Sequence, residues 1–162
     1  MTQIQNIDNK VLKLSREHQL IADYVVRFFK NMKNPDPAFQ EDLRSFLGFL
    51  KKDLTRHFRM EELLIFPAAL NGAPSYETCL LVLNLQKEHG NMETRLKAIQ
   101  AMEKRVREDD ARDAALKKIG DFLTDLKNHA RREATGLFPL INENEQCMAL
   151  LKTYAAQMKT NS

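Results

Sequence analysis

The sequence lacks the features that mark several large classes of protein. No run approaches the roughly 18 apolar residues that a membrane span needs, so no membrane partner is predicted. The first twenty residues contain no apolar segment like that of a secretory signal, and we expect a cytoplasmic protein. The 25 basic and 22 acidic residues are spread along the chain, which is typical of a solvated surface and predicts no nucleic-acid partner.

Cysteine is also scarce. The two cysteines, Cys79 and Cys147, form no Cys-x-x-Cys motif. Small chains that depend on disulfides have many more cysteines than this, and free cysteine is a small, commonly buried residue. We therefore expect both cysteines to be buried apolar residues in a reducing compartment.

What the chain does contain is a series of apolar stripes at helical spacing. Four long stretches place apolar residues three or four positions apart, a shorter fifth follows, and no stretch alternates as a strand would. The length of 162 residues fits one domain, 1–162, with the ligand-bearing bundle at about 8–141 and a C-terminal helix at about 145–159. Short connections make neighbouring helices antiparallel, so the sequence predicts an all-α, up-down-up-down four-helix bundle.

Capping and turn residues mark the ends of the predicted helices. Asp36, followed by a proline, is expected to cap the second helix, and Ser75 to cap the third. The second helix should end near Phe66 and Pro67, with a turn at 71–74. The short fifth helix should pack across the bundle or offer a partner surface.

Six polar residues occupy positions of these stripes that are otherwise apolar. Each long pattern contains one histidine, and two of the patterns add a glutamate four residues later; the six are His18, His57, Glu61, His89, His129 and Glu133. A buried carboxylate without a partner costs several kcal/mol, and a buried imidazole also needs partners. Residues four apart share a helix face, so each His-x-x-x-Glu pair points at one place. A metal ion would satisfy all six groups.

The two halves of the chain repeat this plan. Segment 57–67 returns as segment 129–139 with His, Arg, Glu, Phe and Pro at matching positions, and the triplet at 16–18 returns at 87–89. Two helical hairpins with one plan are related in a bundle by an approximate two-fold axis. A two-fold arrangement of matching ligands favours a site for two metal ions.

One His-x-x-x-Glu pair alone would be weak evidence. The motif arises by chance in acid-rich chains, and a lone histidine on an apolar face is more often a core residue than a ligand. In this chain, however, all four histidines lie in the stripes, and the two with a following glutamate are related by the repeat. The combination favours a metal site over a polar core.

The order His, His-x-x-x-Glu, His, His-x-x-x-Glu, with Phe-Pro closing each second motif, resembles the hemerythrin-like HHE cation-binding domain family. The resemblance covers nearly the whole chain and implies a non-haem, carboxylate-bridged centre of two iron ions. In it His18 and His57 would serve one iron, and the last two histidines the other. Both glutamates of the set would bridge the irons. Imidazole and carboxylate ligands suit iron chemically, and manganese and zinc stay open.

Two further glutamates are alternative ligands. Oxygen-carrying hemerythrins have an additional histidine on the third helix where this chain has Glu93, which would be a ligand, a group behind a ligand, or a solvated side chain. Glu62 competes with Glu61, but the repeat favours Glu61, since it is matched by a glutamate and Glu62 by Ala134.

Two aspartates stand four residues before a candidate histidine in each half of the repeat. Asp53 precedes His57 and Asp125 precedes His129. Each is expected either to orient the imidazole through its second nitrogen or to face solvent.

The resemblance favours a protein that binds or senses O2 or NO through an open coordination position on one iron. Iron storage or donation to an acceptor protein, including repair of iron–sulfur centres, stays open, although repair proteins usually have a cysteine-containing N-terminal domain that this sequence does not show. A di-iron redox enzyme is the third alternative, but no separate acid, base or substrate pocket is visible. The sequence does not determine the oligomeric state.

Overall fold

The computed structural model describes residues 9–160, including side chains from Lys13 onward. Regular structure in this part is helical, and the α-helices in chain order are α1 (Asn9–Asn31), α2 (Pro37–Met60), α3 (Phe66–Gly72), α4 (Tyr76–Arg105), α5 (Arg112–Arg132), α6 (Phe138–Asn142) and α7 (Glu145–Thr160). None of these helices is long and apolar enough to span a lipid bilayer. The predicted bundle start at about residue 8 and both ends of the predicted domain lie outside the described residues.

The four long helices pack so that each contacts two neighbours. α1 packs on α2 and α5, and α4 packs on the same two helices. Successive long helices are joined by short connections and therefore run antiparallel. The predicted all-α four-helix bundle is confirmed.

The last helix, α7, covers one end of this bundle. It packs mainly on α3 and also contacts α6, and its residues Cys147 and Leu151 are fully buried. Burial of such side chains stabilises the docked helix by about 25 cal/mol per Å² of apolar surface removed from water. Packing on the bundle is thus the first of the two roles expected for the fifth helix.

The interior of the bundle has two apolar cores with a polar layer between them. One core contains Ile21, Leu54, Met92 and Leu126 on the four long helices. The other contains Leu14, Leu64, Leu85 and Leu137 together with the buried face of α7. On each long helix, or on the π-helical turn that continues it, a histidine or a His-x-x-x-Glu pair lies between the residues of the two cores. The candidate ligands therefore share one level of the bundle.

Two predicted helix caps are present. The Asp36 carboxylate accepts a hydrogen bond from the backbone N–H of Phe39 at 2.8 Å, and Ser75 Oγ accepts one from the N–H of Thr78 at 3.0 Å. Such caps contribute about 1 kcal/mol each by satisfying N–H groups that have no partner within the helix. They fix where α2 and α4 begin.

The predicted end of the second helix near Phe66 and Pro67 was wrong. The helix continues to Gly72 through a π-helical turn, Glu61–Ile65, in which the N–H of Phe66 donates to the carbonyl of Glu61, five residues back. A proline inside a regular α-helix clashes with the carbonyl four residues earlier and lacks an N–H. The wider turn accommodates Pro67, so the chain remains helical.

The second half of the chain has a matching π-helical turn before a proline. The turn Glu133–Leu137 is π-helical, the N–H of Phe138 donates to the carbonyl of Glu133, and Pro139 follows at once. The repeat seen in the sequence is therefore also a repeat of backbone conformation.

The two cysteines differ in their environment. Both are free thiols, and Cys147 is buried as predicted, but Cys79 is exposed. On α4 the buried residues near it are Thr78 and Val82, so Cys79 falls on the outer face of the helix. The prediction of burial was wrong for Cys79.

Gly72 provides a test of the docking of α7. A Cβ atom at Gly72 would lie 2.7 Å from the backbone and the Sγ of Cys147, whereas one at Gly48 would meet nothing within 4 Å. Gly72→Ala should therefore destabilise the fold by about 1–3 kcal/mol through overpacking. Gly48→Ala should be neutral or stabilise by up to about 1 kcal/mol, because alanine is the better helix former. Urea unfolding measures both, and equal stability of the two variants would contradict the packing described.

Candidate metal centre

The six candidate ligands lie together in the polar layer. His18 comes from α1, His57 from α2, His89 from α4 and His129 from α5, and each π-helical turn begins with one of the two glutamates. Both glutamate side chains are fully buried, and the exposed fraction of the histidine side chains is 2–3%, except for 11% at His18. The bundle thus removes almost all of this polar set from water.

The six residues form two groups that share both glutamates. Within each group one donor atom per residue lies within 4.8 Å of all the others; the groups are His18, His57, Glu61 and Glu133, and Glu61, His89, His129 and Glu133. This is the grouping that the resemblance implied for two metal ions. The assignment of the six residues as metal ligands stays a prediction.

Each shared carboxylate lies between the two groups. Glu61 has one oxygen 2.9 Å from His57 Nε2 and the other 3.3 Å from His89 Nε2. Glu133 has one oxygen 3.1 Å from His129 Nε2 and the other 3.1 Å from His18 Nε2. The two oxygens of each carboxylate therefore face different groups, which is the placement a bridging ligand requires.

The second nitrogen of three imidazoles contacts a glutamate. His57 Nδ1 donates to Glu17 at 2.7 Å, and His129 Nδ1 donates to Glu88 at 2.7 Å. Hydrogen bonds of this kind fix the tautomer and the ring orientation of a ligand histidine. Glu17 directly precedes His18 on α1, and Glu88 directly precedes His89 on α4. This repeated Glu-His pair was the sequence feature that could have identified the two orienting glutamates.

His89 is held by Glu62, which had been weighed against Glu61 as a ligand. The Nδ1 of His89 donates to Glu62 at 2.8 Å, and Glu62 belongs to neither group of donors. Glu93 is half-buried and also lies outside both groups. The structure therefore separates Glu61, at the centre, from these two glutamates.

Of the two roles expected for Asp53 and Asp125, the structure does not show the orienting one, because both aspartates contact arginines and not the imidazoles. Asp53 lies 3.6 Å from Arg56, and Asp125 lies 2.7 Å from Arg95. Both aspartates precede a candidate histidine by one helical turn, but the Nδ1 atoms of these histidines face the neighbouring helices. Carboxylates from those helices occupy the places that the aspartates were expected to take.

Arginines hold two of the orienting glutamates in turn. Arg56 donates to Glu17, and Arg132 lies 2.5 Å from Glu88. The two arginines are not related by the repeat, since one precedes its histidine and the other follows it. The charge-assisted contact with each guanidinium holds the partner carboxylate in place beside the imidazole.

The hydrogens on the outward-facing Nδ1 atoms leave the inner Nε2 atoms and the two carboxylates as an electron-rich centre. Because an ionised carboxylate can only accept, Nδ1 of both His89 and His129 carries a hydrogen. In a neutral ring Nε2 then presents a lone pair, and the two Nε2 atoms are 3.1 Å apart. The four oxygens of Glu61 and Glu133 are buried and accept no hydrogen bond. Lone pairs and negative charge at this distance repel one another unless a cation lies among them, so the donor set fits a metal ion in each group.

Without metal, protons must supply this positive charge. Burial by itself would lower the pKa of His18, but its contacts with Glu133 and Glu61 outweigh burial and raise the pKa to about 9. The balance between burial and the carboxylates likewise raises the pKa of His57 to about 10 and that of His89 to about 9. Burial would raise the pKa of Glu61, but the imidazoles around it hold the pKa well below the usual range.

Aromatic rings enclose the second group. Phe58 stacks on His89 with 3.9 Å between ring centroids and 10° between ring planes, and Phe66 lies 5.3 Å from the same imidazole. On the other side, Phe138 lies 5.4 Å from His18. These contacts restrict the rotation of the imidazoles and exclude water. Sequence reasoning did not assign Phe58 a role at the site.

The comparisons with known proteins bear on this centre. A family model described as hemerythrin HHE cation binding domain matches residues 9–141. No curated protein and no solved structure matches the chain significantly. The matched residues include all six candidate ligands and end before α7.

The stability of the metal-free protein should fall as the pH rises from about 5.5 to about 9. Protons on His18, His57 and His89 stabilise the fold fully below the unfolded pKa of 6.5, and this contribution is lost as the pH rises through the folded values of about 9 to 10. The lowered pKa of Glu61 stabilises the fold at every pH above its unfolded value of 4.5, so Glu61 does not change the trend between pH 5.5 and pH 9. Thermal unfolding of chelator-treated protein measures the trend.

The metal-loaded protein is the control for this trend. Metal ions take the place of the protons, and they bind more tightly as the pH rises and the imidazoles lose protons. The melting temperature of the metal-loaded protein should therefore stay constant or rise from pH 5.5 to pH 9. A metal-free protein that is equally stable at pH 5.5 and pH 9 would contradict the assignment of protons to the cluster.

Removal of Glu88 should weaken metal binding without removing a ligand. Glu88→Ala leaves His129 Nδ1 without its carboxylate, and we expect metal affinity to fall about 10- to 100-fold. Asp125→Ala removes a carboxylate one helical turn before His129 that does not contact it and should leave affinity unchanged. Competition with a chelator of known affinity measures both variants. Equal losses of affinity in the two variants would show that affinity depends on the total negative charge and not on the contact between Glu88 and His129.

Proposed function

The chain belongs to the hemerythrin HHE cation-binding domain family, and we propose that it holds two iron ions in the polar layer and binds or senses O2 or NO there. The observation that carries the proposal is the pair of donor groups that share Glu61 and Glu133. Bound iron would supply reversible electron transfer and coordination positions for a small ligand. The contribution of the chain is to hold, shield and orient these positions.

The number of donors supports a site that is open to a small ligand. Each group offers two imidazoles and two shared carboxylates, and Glu93 contributes to neither group. An ion that takes six ligands would therefore keep room for a further one. Had Glu93 lain within a group, one such position would have been closed.

The surroundings support a ligand that is small and uncharged. Apolar cores lie above and below the layer, and Phe58 and Phe66 cover His89. These side chains keep bulk water and large substrates away from the second group, whereas a diatomic molecule passes through small fluctuations of a packed interior. Such a shell protects a redox-active centre from side reactions with solvent.

The orienting glutamates support a centre that keeps its geometry when the charge of the metal changes. Arg56 and Arg132 hold Glu17 and Glu88 against the Nδ1 atoms of His57 and His129. These contacts tie two of the histidines to the helices around them. The imidazoles therefore stay in place while a small ligand comes and goes.

Iron storage or donation to an acceptor protein is the second candidate. The exposed edge of His18 favours it, because this is where an ion could leave the layer. The nearly complete burial of the other five residues favours retention instead. We place the protein in a reducing cytoplasm, in keeping with its two free thiols.

Metal analysis combined with gas exposure tests the proposal. Protein purified from iron-supplied cells should hold two irons per chain, and anaerobically reduced protein should show a reversible change in visible absorption with O2 or NO. His89→Ala should lose iron, because it removes an Nε2 donor of the second group. Glu93→Ala, which removes a carboxylate outside both groups on the same helix, should retain it.

Three results would contradict the proposal. Stoichiometric zinc without iron would remove the redox role. Iron that responds to neither gas would remove the ligand-binding role. Iron that passes readily to a metal-free acceptor protein would favour donation.

A further inference from the structure

Three exposed large apolar side chains form one row on the outer face of α4. Tyr76, Leu80 and Leu83 are 77%, 46% and 63% exposed, and their spacing of four and three residues places them on one side of the helix. The buried residues of α4, among them Val82 and Leu85, face the bundle instead. The exposed row is therefore not part of the packing of the bundle.

The row continues along α4 with mostly small side chains. The next positions at the same spacing are Lys87, Gly90, Thr94, Ala98 and Ala101, and all five are exposed. The hydroxyl of Thr94 donates to the carbonyl of Gly90 at 2.9 Å, and a Cβ atom at Gly90 would meet nothing within 4 Å. We call the eight positions from Tyr76 to Ala101 the outer row.

The corresponding face of α1 is polar, so the fold does not require the composition of the outer row. The residues of α1 that correspond to Gly90, Thr94, Ala98 and Ala101 are, in that order, Gln19, Asp23, Arg27 and Lys30. Gln19 donates to Asp23, and Arg27 donates to Asp42. Where α1 has a hydrated polar surface, α4 has small side chains that leave a shallow groove.

The outer row is complementary to a second copy of itself. Two α4 helices can lie antiparallel about a two-fold axis between positions 88 and 89. Large side chains at the start of each helix then fill the groove over small ones near the end of the other, as ridges fill grooves between packed helices. The facing pairs, each level to within one residue or about 1.5 Å, are Tyr76 with Ala101, Leu80 with Ala98, Leu83 with Thr94, and Lys87 with Gly90.

The one charged residue of the outer row fits this arrangement. Lys87 lies opposite Gly90 of the second copy, where its alkyl stem has room and its ammonium group reaches solvent. The pairing therefore does not bury a charge.

The size of the contact favours reversible association. Positions 76–101 span about 39 Å of a helix that is about 10–12 Å wide with its side chains, which gives roughly 400–500 Å² on each copy. The total approaches the roughly 1,000 Å² of a small specific interface. We therefore expect a dissociation constant of about 10–100 µM.

From the outer row, its complementarity and its size, we propose that two copies of this chain associate through antiparallel α4 helices. The two-fold axis lies level with His89, so the two candidate centres lie side by side with the paired α4 helices between them. The proposal does not depend on the metal that these centres hold.

Analytical ultracentrifugation tests the association. The chain should convert from monomer to dimer between about 5 and 500 µM. Leu83→Glu puts a charge into the apolar half of the outer row and should weaken association at least about tenfold. Val26→Glu is the matched control, because Val26 is 61% exposed on α1, and it should change association less than about twofold. Circular dichroism checks that both variants fold.

Disulfide cross-linking tests the antiparallel register. In a Cys79→Ser background, Gly90→Cys should cross-link two copies under mild oxidation, because residue 90 of each copy lies only about 4.5 Å from the other along the helix axis. The native Cys79 is exposed, but its two copies would be about 28 Å apart along this axis and should not cross-link.

Each test has an outcome that would overturn the proposal. A chain that stays monomeric at about 500 µM would exclude a second copy as the occupant of this face. If Leu83→Glu weakens association no more than Val26→Glu does, the outer row is not the interface. Cross-linking through Cys79 would overturn the antiparallel arrangement. Iron content plays no part in these measurements, so they stand or fall separately from the proposed function.

Discussion

Everything else in this structure depends on the repulsion among buried donor atoms in one layer of the bundle. Two buried carboxylates lie beside imidazole nitrogens that present lone pairs whenever the rings are neutral, and two of these nitrogens are 3.1 Å apart. Such a layer is compatible with a stable fold only if cations occupy it. Protons supply the positive charge in the metal-free protein, which is why the pKa values of three histidines rise, and metal ions replace them in the family to which the chain belongs.

The bundle is built to hold this layer in place. Apolar cores lie on both sides, so the long helices are fixed by packing above and below the polar residues. The π-helical turns begin at Glu61 and Glu133, the residues that both groups share. Pro67 and Pro139 follow these wider turns, which accommodate a proline within a continuous helix, and so the Phe-Pro pairs of the sequence have a structural role close to the centre.

The sequence predicts the helices and the polar layer because both depend on local information. Helical spacing gives the stripes, Asp36 and Ser75 cap helices through residues three positions away, and the repeat chooses Glu61 over Glu62. Contacts between side chains of different helices could not be predicted from the sequence. Glu17 and His57 are 40 positions apart, so the sequence offered only the nearer Asp53 as a candidate partner, and it left open whether Asp53 faces solvent. A proline in a helical pattern can also end, bend or widen the helix, and only the packed structure shows which.

Anomalous diffraction from crystals of the iron-loaded protein tests the central claim most directly. We expect two iron peaks in the polar layer, one between His18 and His57 and one between His89 and His129, with Glu61 and Glu133 reaching both. A single peak in the layer, or iron bound only elsewhere on the chain, would contradict it.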